Sequence, residues 1–271
     1  MAVAGEWFLP QWRSWDTSYR EDRKVLSPTT NRPRSLVDIS FHYCPGCGHG
    51  IIHRLVAEVI DELGIQGQTI GVASVGCSVH TLSYFDLDMQ QAAHGRAPAV
   101  ATGIKRVLPK QIVFTYQGDG DLGAIGIGEM FHATARGEKI TVIYVNNAVY
   151  GMTGGQMAPT TLIGQATSTT PDGRLPDRDG FPIKVAELVS MIDGSAFVAR
   201  TSVHNPVNVA RTKKAIRMAF QAQMNRLGLG LVEVLSPCPT NWHLSPSEAM
   251  KWIENVMIKS FPLGIMKSLE R

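Results

Sequence analysis

The sequence predicts an α/β fold: a doubly wound, mostly parallel sheet in one large domain. Three observations carry that reading. Short β-branched runs such as Ile140 to Val145 suit buried parallel strands, which are covered on both faces. Helical stretches alternate with those runs. Glycine- and asparagine-containing turns directly follow two of the strands, and open sheets of this kind bind ligands at the carboxyl ends of their strands.

In chain order, residues 1–40 are rich in Trp, Arg, Pro and Ser and show no periodicity. They read as an irregular arm, and Trp7, Trp12 and Trp15 suit it to packing on a partner. Residues 41–271 form the domain. After the turn Cys44–Gly50, apolar residues recur at helical spacing from Ile51 to Leu63, and Gly64 closes the run. Thr69 to Val75 reads as a strand, Ala97 to Val107 as a helix, and Ile112 to Tyr116 as a second strand. Leu122 to Arg136 is helical despite its glycines, and Ile140 to Val145 is the next strand. Val185, Leu188, Val189 and Ile192 mark a helix, followed by a strand from Ala196 to Arg200. Asn205-Pro206 opens a long helix, with Asn as N-cap and Pro at the first helical position. Leu229 to Leu235 is the last expected strand. Ser245-Pro246-Ser247-Glu248 has capping-box spacing ahead of a final helix containing Trp252, Ile253 and Val256. Between Tyr150 and about Pro182 no element is evident. Connections beyond about 12–15 residues are usually functional or disordered, and Gly151, Met152 and Thr153 begin a stretch rich in glycine and threonine donors.

Composition narrows the function. The 271 residues are 44% hydrophobic, enough for a core without disulfide staples. Lys and Arg number 26 against 23 Asp and Glu, a net charge of +3 with no basic run, which argues against nucleic acid as a partner. The apolar runs fall short of the roughly 18–20 residues that span a bilayer. Glu6, Trp7, Pro10 and Trp12 interrupt any signal-peptide pattern, so a cytoplasmic location is expected.

The sharpest motif is Gly118-Asp119-Gly120-Asp121 after one strand, with Asn146-Asn147 after the next. Glycines flanking an Asp let backbone N–H groups approach a phosphate, while the Asp holds a hard cation. Mg²⁺ prefers oxygen ligands, and Asp119, the Asn147 amide and the Val149 carbonyl supply three. Gly-Asp-Gly alone is an ordinary turn; the pair, each member after a strand, is far more specific. It resembles the thiamine-diphosphate motif. A nicotinamide site is disfavoured, because no Gly-x-Gly-x-x-Gly opens the first helix.

Four cysteines occur, Cys44, Cys47, Cys77 and Cys238. Cys44-Pro-Gly-Cys47 before a helix suits a redox pair, and Cys44, Cys47, His49 and His53 suit a cramped zinc knuckle. Both leave Cys77 and Cys238 without a role. Four thiolates around a [4Fe–4S] cluster use all of them. Spacing leaves the three readings open.

Together these pieces resemble the β subunit of 2-oxoacid:ferredoxin oxidoreductases. The resemblance runs from Phe41 to the C-terminus through YCPGCGHG (Tyr43–Gly50), VGCS (Val75–Ser78), HGRAPAVATGIK (His94–Lys105), QGDGD (Gln117–Asp121), NNAVYGMTGGQMAPTT (Asn146–Thr161) and PCPT (Pro237–Thr240). It implies a diphosphate-binding domain of the thiamine-diphosphate type. It also implies a [4Fe–4S] cluster on Cys44, Cys47, Cys77 and Cys238, and Mg²⁺ on Asp119, Asn147 and the Val149 carbonyl. The cofactor-binding residues it implies are Gly76, Cys77, Ser78, His94, Gly118, Asp119, Gly120, Asp121, Asn147, Val149, Gly151, Met152 and Thr153, with His94 and Arg96 as catalytic candidates.

The implied activity is coenzyme A-dependent oxidative decarboxylation of a 2-oxoacid with reduction of ferredoxin. VGCSVH and DMQQAAHGRAPAVATGIKRV look most like members acting on branched-chain acids such as 3-methyl-2-oxobutanoate; 2-oxoglutarate or pyruvate are the alternatives. A non-redox thiamine-diphosphate decarboxylase subunit with structural zinc is a further alternative, and a zinc-stabilised assembly subunit another. The carboxylate that activates the aminopyrimidine comes, in this family, from a pyrimidine-binding α subunit, and no substitute is evident here. Further γ or ferredoxin-like subunits are expected as electron carriers. His80 and Lys105 read as a loop histidine and a solvated lysine, and His49, His53 and His132 as packing or surface residues.

Overall fold

The computed structural model describes residues 32–269, so most of the expected arm, with Trp7, Trp12 and Trp15, lies outside the described residues. The described end of that arm packs on this chain's own first helix, α1 (His49–Leu63). Arg34 and Ser35 donate backbone N–H groups to the Asp61 carboxylate at 2.6 and 3.2 Å, and the Ser35 hydroxyl donates to it at 2.6 Å.

The strands in chain order are β1 (Thr69–Ala73), β2 (Asp88–Gln91), β3 (Ile112–Gly118), β4 (Thr141–Asn146), β5 (Val149–Tyr150), β6 (Gln156–Met157), β7 (Ser195–Ser202), β8 (Leu229–Leu235) and β9 (Gly264–Ser268). Seven of them form one sheet in the order β2-β1-β3-β4-β8-β7-β9, parallel throughout except for the antiparallel β7–β9 pair. The remaining helices are α2 (Thr81–Tyr84), α3 (Ala97–Val107), α4 (Ile127–Ala135), α5 (Pro176–Asp179), α6 (Val185–Ser190), α7 (Pro206–Met224), α8 (Pro239–Trp242), α9 (Pro246–Trp252) and α10 (Ile258–Ser260).

Alternation along the strands explains the layers. Phe114 and Tyr116 of β3 pack with Val56 and Ile60 of α1 and Ile216 and Phe220 of α7. Val113, at the opposite parity just before Phe114, packs on the other face with Ala101 of α3, Met130 of α4 and Val189 of α6. Side chains on a strand point alternately to opposite faces, so a sheet with helices on both sides needs apolar residues at both parities. The helix ends follow the expected chemistry. Gly64, at φ 67°, closes α1, and the Asn205 side chain caps α7 by accepting from the Asn208 N–H at 2.9 Å. Ser245 and Glu248 complete their capping box. No helix among the described residues is long and apolar enough to cross a membrane.

Several expectations need correction. The helix expected from Leu122 begins as a π-helical turn, Asp121–Ile125, and becomes α-helical only at Ile127. Strands β2 and β9 went unforeseen: both are edge strands, and β2, with sequence DMQQ, has no apolar run to announce it. The stretch after Tyr150 is not featureless. It holds the β5–β6 pair and α5, and it is gathered on Arg174, whose guanidinium donates to the carbonyls of Pro159 (3.1 Å), Thr161 (2.6 Å), Gly180 (2.9 Å) and Phe181 (2.8 Å).

Candidate functional site

Because β1, β3, β4 and β8 are parallel, their carboxyl ends share one edge, and the turns that leave them wall a cleft of about 570 Å³ including its open mouth. Its floor is the turn after β3. Asp119 is 3% exposed, with its carboxylate accepting from the Gly120 N–H at 2.9 Å and the Thr160 hydroxyl at 2.5 Å. Burial nevertheless pushes its carboxyl up to about 7, because those hydrogen bonds only partly offset lost hydration and no cation stands beside it among the described residues. Gly120 is obligatory: a Cβ there would sit 2.1 Å from the Tyr150 ring, whose hydroxyl donates to the Gly120 carbonyl at 3.0 Å. At Gly118 and at Gly76 (φ 109°), both on the cleft wall, a Cβ would meet nothing within 4 Å, so the chain leaves space there.

The turn after β4 is built by its two asparagines. Asn146 accepts from the Ala148 N–H at 3.1 Å, while its amide donates to Glu233 at 2.7 Å. Glu233 lies 2.9 Å from the guanidinium of fully buried Arg200, which Glu187 also binds. A buried charge network thus fixes the root of this turn. Asn147 accepts from the Val149 N–H at 3.2 Å and lines the cleft with Val149.

The four cysteines gather at one side of the same cleft. Cys77 lines it, directly after Gly76. Cys238 follows β8, its sulfur accepting from the Asn241 amide at 3.2 Å. Burial pushes the Cys47 thiol up to about 12 and Cys77 to about 11, and Cys238 and Cys44 lie near enough to add to both shifts. Buried thiols of this kind stay protonated unless a metal takes the sulfur. Among the described residues no three His, Cys, Asp or Glu side chains converge tightly enough for a single metal ion.

The expected residues fare differently. Gly151, Met152 and Thr153 line the cleft. Asp121 lines it too, yet its carboxylate is spent on the protein, accepting from Ser74 (2.8 Å), His94 Nδ1 (2.5 Å), the Gly95 N–H (2.7 Å) and Gln117 (2.5 Å). It positions His94, which reaches the cleft. Ser78 also lines the cleft, with its hydroxyl donating to the Ser74 carbonyl at 3.1 Å. Arg96 pairs with Glu129 at the head of α3 and is not among the residues lining the cleft. Lys105 donates to the Gln111 carbonyl and tethers the loop after α3. His80 packs edge-on against His42 at 4.1 Å.

His49 packs as expected, buried and stacked on Tyr43, but packing is not its whole role. It lines the cleft, with Nδ1 2.9 Å from the Tyr116 hydroxyl, and burial pulls its imidazole down to about 4. The available signal was position: His49 stands in the first turn of the helix that follows the thiol turn. Tyr150 and Thr160 were also missed, since nothing local links them to Asp119.

The donor set fits a divalent cation with a diphosphate: a buried, uncompensated carboxylate, an amide oxygen, and glycines that leave room. The four thiols lie within electrostatic reach of one another beside this site.

Comparison with known proteins supports the thiamine-diphosphate part of this reading. Residues 69–234 match the family described as thiamine pyrophosphate enzyme, C-terminal TPP binding domain. Ketoisovalerate oxidoreductase subunit VorA of Methanothermobacter marburgensis is 49% identical over 82% of this chain. The match takes in 46% of that protein, so the chain spans about half the length of such relatives. The 2-oxoglutarate synthase subunit KorB of Archaeoglobus fulgidus is 35% identical over 78% of this chain and 75% of its own length. A solved structure, 2-oxoglutarate:ferredoxin oxidoreductase from Magnetococcus marinus with 2-oxoglutarate, coenzyme A and succinyl-CoA bound, superposes with a TM-score of 0.71 at 26% identity. That superposition covers 90% of this chain and 87% of the other.

Proposed function

The chain belongs to the thiamine pyrophosphate-binding subunits of the 2-oxoacid:ferredoxin oxidoreductases, and from that premise we propose that it carries the diphosphate half of an active site for coenzyme A-dependent oxidative decarboxylation of a branched-chain 2-oxoacid, with ferredoxin as electron acceptor. One observation carries the reading: Asp119, Asn147 and Val149 share a cleft with Cys77, so a diphosphate–cation site and a thiol cluster are neighbours.

Asp119, the Asn147 amide oxygen and the Val149 carbonyl hold Mg²⁺, and backbone N–H groups of the Gly118–Gly120 and Gly151–Thr153 turns face the diphosphate. Cys44, Cys47, Cys77 and Cys238 hold a [4Fe–4S] cluster, and the Asn241 amide donates to one of its thiolates. Bound thiamine diphosphate supplies the carbon nucleophile and electron sink that let a 2-oxoacid lose CO₂, and the cluster takes electrons singly. His94 is held by Asp121 and presents its second ring nitrogen to the cleft. Val75, Val145, Val149 and Met152 line the cleft, and no Lys or Arg does so among the described residues. That lining suits an apolar substrate side chain better than the second carboxylate of 2-oxoglutarate, and the 49% identical relatives are named for ketoisovalerate. A pyrimidine-binding subunit provides the activating carboxylate, and ferredoxin-like subunits carry electrons onward.

The test is anaerobic co-expression with the partner subunits, followed by metal, sulfide and thiamine assays and viologen reduction over a panel of 2-oxoacids. The expected result is four iron and four sulfide per chain and fastest reduction with 3-methyl-2-oxobutanoate. One zinc without acid-labile sulfide would sink the iron–sulfur assignment, and a preference for 2-oxoglutarate the substrate assignment.

A further inference from the structure

Two histidines enter the cleft, and the structure wires them with opposite polarity. His94 Nδ1 lies 2.5 Å from Asp121 Oδ1. A carboxylate only accepts, so Nδ1 donates, and in the neutral ring Nε2 is left as an acceptor. His49 is the reverse case. Its Nδ1 lies 2.9 Å from the hydroxyl of Tyr116, a fully buried residue whose hydroxyl has no other hydrogen-bond partner among the described residues. A buried phenol proton needs an acceptor. Tyr116 therefore donates to Nδ1, and the ring proton resides on Nε2.

The remaining geometry aims that proton. His49 is 3% exposed and lines the cleft with Cys77, Asp119 and Asn147. Its Nε2 makes no hydrogen bond among the described residues, yet it is not one of the buried polar atoms sealed from solvent, so its opening is the cleft. The Tyr43 ring stacks on the imidazole at 4.9 Å and 18°, and the Tyr43 hydroxyl lies 2.8 Å from His53 Nε2. The ring plane is thereby fixed from the side and from below.

We infer that His49 Nε2–H is a preorganised hydrogen-bond donor to the 2-oxo oxygen of the substrate, and that Tyr116 is the positioning residue that sets its tautomer. The inference rests on the 2-oxoacid reading above. Negative charge develops on that oxygen when the adjacent carbon is attacked, and a fixed donor needs no reorganisation to meet it. Removing one such donor typically costs about 10²–10³ in kcat.

The experiment uses the co-expressed complex carrying His49→Leu, His49→Gln or Tyr116→Phe, with iron and thiamine contents confirming that each variant is loaded. Two readouts are taken: steady-state kinetics, and calorimetric affinity for two unreactive analogues, the 2-hydroxyacid and the saturated acid lacking that oxygen. In the unaltered complex the hydroxyacid should bind more tightly. His49→Leu should erase that preference, leave the saturated acid's affinity unchanged and lower kcat about 10²–10³-fold. His49→Gln, which keeps an N–H, should recover part of the loss. Tyr116→Phe should fall between, because the proton is then free to leave Nε2.

Three results would overturn the inference. One is a kcat for His49→Leu within threefold of the unaltered complex. Another is an intact hydroxyacid preference. The third is selective loss of iron, which would make His49 a support of the cluster instead. An unaltered complex with no activity on any 2-oxoacid would defeat the underlying reading, a failure distinguishable because it needs no substitution.

Discussion

Asp119 concentrates the energetics of the site in one carboxylate. A buried carboxylate is costly unless it is paired, and in practice it takes up a proton instead. Here burial raises the carboxyl to about 7 despite the Thr160 and Gly120 hydrogen bonds. A divalent cation removes the cost by supplying the missing charge. Asp119→Asn preserves shape and one acceptor oxygen but brings no charge to the metal. Thiamine diphosphate retained through gel filtration should then fall at least about tenfold, while iron and sulfide stay at the level of the unaltered complex. The metal-free variant should be no less stable to urea than the native chain, because an unpaired buried acid has been removed. Undiminished retention would refute the Mg²⁺ assignment.

The segment from Tyr150 to Pro182 shows how an element without regular structure is held. Backbone groups in a loop need partners as much as those in a strand, and Arg174 supplies them by donating to carbonyls at both ends of the segment. Its anchor at the Thr161 carbonyl sits beside Thr160, which binds Asp119, and the Thr161 hydroxyl itself donates to the Ala148 carbonyl at 2.6 Å. Arg174→Ala removes the hub and leaves several carbonyls unmet, for about 3 kcal/mol of destabilisation. Hydrogen exchange should quicken across residues 158–181 while β3 and β4 keep their protection, and thiamine diphosphate should bind more weakly through Thr160. Unchanged exchange would show that the loop is held by other means.

What was legible at this scale follows from the range of the forces involved. The core strands β3, β4, β7 and β8 and helices α1, α3 and α7 were readable because their apolar residues recur with the period of the element itself. Capping at Asn205 and Ser245 was readable because it is decided within four residues. Edge strand β2 was not, since its partner is Ile70 to Ala73 and its own residues are polar. Nor was Arg174, whose partners lie up to 16 positions away. The π-turn at Asp121–Ile125 follows from Asp121 reaching across to His94 and Gly95, contacts spaced 26 and 27 residues apart. In the site, the glycines, Asp119 and the cysteines are marked by motif, whereas His49 is marked only by where α1 ends up relative to the sheet edge.

At the scale of the molecule, the shared strand edge explains how one chain assembles so much of the proposed site. Parallel strands bring Cys77, Asp119, Asn147 and Cys238 to one side, yet they leave the cleft open there, with Val75 37% and Met152 45% exposed beside it. The carboxyls at the cleft are already engaged: Asp119 stands ready for the cation, and Asp121 holds four donors. Neither is available to activate a thiamine aminopyrimidine. The purified 271-residue chain, reconstituted anaerobically with iron, sulfide, Mg²⁺ and thiamine diphosphate, should therefore build its cluster but reduce viologen at less than about 1% of the rate of the co-expressed complex, as losing a catalytic acid–base group costs about 10²–10⁴-fold. Adding the pyrimidine-binding subunit should restore turnover, and hydrogen exchange should then slow at residues 75–78 and 150–153, where the partner closes the mouth. Full activity from this chain alone would mean that the activating carboxylate lies within it. Restored activity without protection of those two segments would place the partner on another face, and the exposed valine and methionine would then need a different occupant.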